Sequence, residues 1–108
     1  MTEAKVFAGI CGFTTTIRVE NLGKHQAKLI IETDCPNHKK VAKTLDTVTI
    51  NAMDELFRKG KSQVMEACKG VIPHASCPVP AAILKALEVG VGLALPADVT
   101  VTFTKKEK

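Results

Sequence analysis

The sequence predicts an α+β two-layer sandwich, an antiparallel sheet of about four strands with two or three helices on one face, from three observations. Alternating segments at residues 13–20 and 26–33 form a hairpin, a third alternating segment closes the chain at 98–104, and apolar residues recur at helical spacing between them. The length of 108 residues suits one domain over residues 1–108, and 45% hydrophobic residues against 24% charged suffice for one core.

The first strand is expected at Lys5–Ile10. After Cys11-Gly12, Phe13, Thr15, Ile17 and Val19 share one face of a strand whose other face carries Thr14, Thr16, Arg18 and Glu20. Asn21 to His25 reads as a turn, and Ala27, Leu29, Ile31 and Thr33 line the return strand. A turn centred on Gly23 pairs Phe13 with Thr33, Thr15 with Ile31, Ile17 with Leu29 and Val19 with Ala27, all on the apolar face. The same register sets Cys11 opposite Cys35, within about 5 to 7 Å if the ladder reaches them.

Pro36 suits the first position of a helix capped by Asp34 or Cys35 and running through Val41, Ala42 and Leu45. A second helix starts at Asn51, with Asp54 three residues on, and Gly60 interrupts it. Ser62 restarts it, placing Val64 and Cys68 on one face before Gly70 and Pro73. The last helix follows Cys77-Pro78-Val79-Pro80, with Val79, Ile83, Leu87 and Val91 recurring every four residues. In the closing strand Val99, Val101 and Phe103 alternate with Thr100, Thr102 and Thr104. The Thr-rich outer face of the sheet meets water or a second copy of the chain.

Composition narrows the function. With no Trp, no Tyr and four Phe, a stacking surface for nucleic acid is not expected, and the net charge of +4 owes much to the tail lysines Lys105, Lys106 and Lys108. No apolar run approaches a membrane span, and the start Met1-Thr2-Glu3-Ala4-Lys5 lacks the form of a signal peptide, so a cytoplasmic protein is expected. A reducing compartment keeps Cys11, Cys35, Cys68 and Cys77 as free thiols rather than a disulfide framework. Nucleotide-binding glycine motifs, the H-E-x-x-H zinc motif and the G-x-S-x-G elbow are all missing, and no acid/base pair stands out.

The cysteines therefore carry the functional reading. Cys35 and Cys77 each precede a proline at a helix start, where backbone N–H groups and the helix dipole favour thiolate. Cys68 lies nine residues before Cys77, a span long enough to fold back. Four thiolates converging at one end of the sheet would hold an iron-sulfur cluster, or zinc, with His74 as an additional ligand or as a base for Cys77. No CxxC knuckle occurs in the gaps of 24, 33 and 9 residues, so the spacing names no metal. A second reading makes Cys77 a nucleophile or persulfide carrier, and a third makes the cysteines core packing in a protein-interaction module. His25 is expected in the hairpin turn, and His38, one turn into the helix after Cys35, either approaches the cysteine site or, by preference, lies on a solvated helix face. Binding, electron transfer or sulfur transfer is expected rather than substrate turnover, with a redox or sulfur-transfer protein as partner.

Two resemblances arise at these residues. Cys77-Pro78-Val79-Pro80 at a helix start is similar to the Cys-Pro-x-Pro motif of TusA-type sulfur carriers, which implies Cys77 as a persulfide site. More broadly, Cys11-Gly12-Phe13, Asp34-Cys35-Pro36 and His74-Ala75-x-Cys77-Pro78-Val79-Pro80, with Gly92-Leu93-Ala94-Leu95-Pro96, resemble a small uncharacterised family of anaerobic archaea and bacteria. That resemblance implies an anaerobic setting, in which an oxygen-sensitive cluster or persulfide survives.

Overall fold

In a computed structural model, which describes residues 1–57, 61–73 and 75–106, the chain folds as an α+β sandwich. Strands β1 (Thr2–Phe7), β2 (Thr14–Gly23), β3 (Gln26–Thr33) and β4 (Ile50–Asn51) form one antiparallel sheet in the order β1-β2-β3-β4. Helices α1 (Pro36–Asp46), α2 (Ala52–Phe57), α3 (Gln63–Cys68) and α4 (Val79–Gly90) complete the fold. Strand period decides the faces: Ile17, Val19, Ala27 and Leu29 turn inward and are at most 2% exposed. They meet Val41 and Leu45 of α1, Val64 of α3, and Val79, Ile83 and Leu87 of α4 in one core. On the other face Arg18 pairs with Glu3 at 2.9 Å and with Glu32 across three strands. Such exposed pairs contribute little, typically below about 1 kcal/mol each.

The hairpin register differs from the expected one by two residues. Ile17 pairs with Ile31 and Val19 with Leu29, because Lys24 and His25, both left-handed at φ 54° and 63°, make the turn while Gly23 sits beside a bulge. A slip of two preserves parity, so every inward residue stays inward. It removes the expected Cys11–Cys35 pairing: Thr15 faces Thr33 at the open end, their hydroxyls 2.8 Å apart, and the ladder stops at Thr14, short of both cysteines.

Three further expectations are corrected. The first strand begins at Thr2 and ends at Phe7, and Ala8 to Gly12 instead turn, closed by the Gly12 N–H donating to the Gly9 carbonyl. The fourth strand is Ile50–Asn51, whereas residues 98–104 join no sheet. Helical residues divide among four helices, since Asn51 Oδ1 accepts from the Met53 and Asp54 N–H groups to start α2 and Ser62 Oγ accepts from Met65 to start α3. Buried Glu55 ties the two together, its carboxylate accepting from the Ser62 hydroxyl, from Gln63 N at 2.7 Å and from Val64 N. The expected interruption at Gly60 lies outside the described residues.

Helix α4 lies across β1 and β2. Its contact is close because Gly90 has no side chain: a Cβ there would stand 2.7 Å from Val19 Cβ and closer still to a Val19 methyl. Glycine at this point lets the end of the helix reach the sheet, and so fixes the direction in which the start of α4 points.

Candidate functional site

At the other end of α4 the chain enters through Ser76-Cys77-Pro78. The N-cap is Pro78, one residue later than expected, so Cys77 stands just outside the helix, half-buried. Cys35 is the N-cap of α1, with Pro36 in the first turn, and its N–H donates to Thr33 Oγ1 at 3.1 Å. No side-chain cap hydrogen bond forms at either start. Cys11 is exposed in the turn between β1 and β2.

A cavity of about 230 Å³ lies among these three segments, and Cys11, Cys35 and Cys77 all line it together with His38. His38 departs from the preferred expectation of a solvated helix face and takes the other course, toward the cysteines. It is 2% exposed, with Val41 and Leu45 three and seven residues on along the same buried face of α1, and that helical spacing was the available signal. Its Nε2 stands 3.3 Å from Cys77 Sγ, a hydrogen bond whose direction depends on which ring nitrogen carries the proton. Its Nδ1 is buried and, among the described residues, has no hydrogen-bond partner. Burial lowers the pKa of His38 from the ordinary 6.5, which favours the neutral ring.

Cys68 does not line this cavity. It closes α3 at 6% exposure as part of the core, and on its accessible side it faces a second, larger cavity of about 1000 Å³ that Cys77 also borders. Cys77 thus forms part of the wall of both. Burial first, and then the charge of neighbouring Cys77, push the Cys68 thiol from 9.0 up to about 11. Among the described residues no three of His, Cys, Asp and Glu stand together as ligands for one ion. His74 lies outside the described residues, and His25 is exposed in the hairpin turn as expected. No helix among the described residues is long and apolar enough to cross a membrane.

The Cys68 shift carries a pH dependence. Below pH 9 the thiol is protonated in the folded and the unfolded chain alike. Above it the unfolded chain releases the proton while the folded one retains it, so stability falls between about pH 9 and about pH 11 and then levels off. Urea unfolding at either end of this window is expected to show a smaller alkaline loss in Cys68→Ala than in the parent chain.

One family model, for a family of unknown function (DUF6951), matches residues 2–103. No curated protein and no solved structure matches the chain.

Proposed function

The chain belongs to this family of unknown function, and we propose for it sulfur transfer, with Cys77 as the sulfur-carrying residue and His38 as its base. The observation that carries this reading is the 3.3 Å contact between the buried imidazole and the thiol at the edge of two cavities. A neutral imidazole accepts the thiol proton as sulfur attacks, which is how cysteine is activated as a nucleophile. The substrate is a persulfide, R–S–SH, on a partner protein. Cys77 sulfur attacks its outer sulfur, the new S–S bond forms as the donor's S–S bond breaks, and the electron pair leaves with the donor thiolate. His38 returns the proton to that thiolate, so Cys77–SH and R–S–SH become Cys77–S–SH and R–SH without external oxidant. The similarity of Cys77-Pro78-Val79-Pro80 to the motif of TusA-type carriers supports the same residue. A reducing cytoplasm, and an anaerobic one, suits so oxidisable a group.

One observation favours a second reading: three cysteines from distant parts of the chain and one histidine line a single cavity. Three thiolates and an imidazole are a known donor set for zinc, and cysteine-rich sets with histidine also hold iron-sulfur clusters. In this reading Cys11, Cys35, Cys77 and His38 would draw together around the metal, since they share a cavity wall here but no three of them stand around one ion. Cys68, a fourth ligand in the sequence-based expectation, lies in the core and does not line this cavity. The partner would then be a redox protein.

Both readings meet in one experiment. Protein purified without oxygen is assayed for zinc, iron and acid-labile sulfide, then treated with cysteine persulfide and weighed intact by mass spectrometry. Sulfur transfer gives a metal-free protein that gains one sulfur atom, removable by dithiothreitol and located at Cys77 by peptide mapping. A stoichiometric metal with no sulfur uptake overturns that reading in favour of the second, and neither result overturns both.

A further inference from the structure

Residues 98–104 have the pattern of a strand and no sheet to belong to. Val99, Val101 and Phe103 are 65%, 73% and 91% exposed, and every residue from Leu95 to Lys106 is exposed. A chain of this size has an expected radius of gyration near 13 Å. The observed value is 14.2 Å, with extents of 52 × 29 × 26 Å. The segment is no peculiarity of this chain, since the family match runs to residue 103. At the opposite edge of the same problem stands β1. It is hydrogen-bonded to β2 on one side only, six residues long, and contains neither proline nor bulge. Its inward residues Ala4 and Val6 are only partly covered, and Phe7 is 67% exposed on the other face.

We propose that Asp98–Thr104 adds as a fifth strand to the free edge of β1 in a second copy of the chain, and that the exchange is mutual. Seven residues match six in length, and pairing satisfies the backbone groups that a bare edge leaves open to any passing strand. Strand period then lays Val99, Val101 and Phe103 on one face beside Ala4 and Val6, extending the half-covered apolar layer, and sends Thr100 and Thr102 to the face that carries Glu3 and Lys5. The seven residues from Val91 to Ala97 span up to about 23 Å, enough to carry the segment off its own body. Each copy offers the same segment and the same edge, so the assembly closes as a two-fold dimer and stops there.

Light scattering coupled to size exclusion, over a concentration series of the full chain, is the test, with Val101→Pro/Thr102→Pro as the variant, because adjacent prolines remove an N–H from either side of the added strand. The expected mass is twice 11.6 kDa for the parent and 11.6 kDa for the variant, with the same circular dichroism. A parent chain of 11.6 kDa at every concentration overturns the proposal. If its amides at 98–104 are nonetheless protected from hydrogen exchange, the segment lies on its own β1. A dimer that survives the two prolines overturns it as well, since the interface is then elsewhere.

Discussion

Cys77→Ser is expected to abolish sulfur uptake from persulfide while leaving the fold intact. The hydroxyl that replaces the thiol is a far weaker nucleophile and cannot carry sulfane sulfur. The side chain is only half-buried, so little packing is lost. Cys11→Ser and Cys35→Ser, on the same cavity wall, are expected to keep single-sulfur loading at Cys77. His38→Gln is the finer probe: it retains a polar group but no base, and loading at neutral pH should slow by about 10²-fold or more, the usual contribution of a positioned general base. Raising the pH should restore much of that rate, because hydroxide then makes the thiolate that His38 no longer helps to form. Intact mass against time gives all four results. If Cys11→Ser, Cys35→Ser, Cys77→Ser and His38→Gln instead each lose a bound metal and stability together, the site is a metal centre, whose ligand bonds are also folding energy.

Ile83→Ala is expected to lower stability by about 2 to 5 kcal/mol, the range for emptying a fully buried large aliphatic site. Ile83 is 0% exposed in the middle of α4, between Val79 and Leu87 on the face that packs on the sheet. Domains of this size are stable by about 5 to 15 kcal/mol in all, so the change removes a large share. Urea unfolding should show the midpoint displaced with the slope unchanged. Because α4 begins one residue after Pro78, loosening it also frees Cys77 from its place against His38. Sulfur uptake by the folded variant should slow accordingly, and an unaltered rate would mean that Cys77 is positioned by the preceding loop instead.

Local pattern in the sequence was a good guide wherever the structure itself is local. The alternation of Ala27, Leu29 and Ile31 gives a strand with the observed limits Gln26–Thr33, and the four-residue recurrence of Val79, Ile83 and Leu87 gives the buried face of α4. The register departs from the expected one at its turn because a lysine and a histidine, not glycine, adopt the left-handed turn, while glycine serves the bulge. Faces survive that shift since they depend on parity; the alignment of strand ends, which placed Cys11 across from Cys35, does not. Residues 98–104 show that alternation records what a segment is fit to pair with, and the partner lies beyond the segment itself. The polarity of His38 favours a solvated face, yet its spacing from Val41 and Leu45 puts it inside. The burial that separates Cys68 from the other three thiols arises from the packing of α3 against α1 and α4, contacts distant in sequence.

The meeting of Gly90 with Val19 has a consequence for how this family can diverge. A methyl group at position 90 would stand 2.7 Å from Val19 Cβ, an atom that every residue but glycine retains, so position 90 is held to glycine for as long as position 19 carries a side chain. Relatives should therefore keep glycine at 90 unless position 19 is glycine too or the end of the helix stands farther from the sheet, and Gly90→Ala should lower the urea midpoint of this chain.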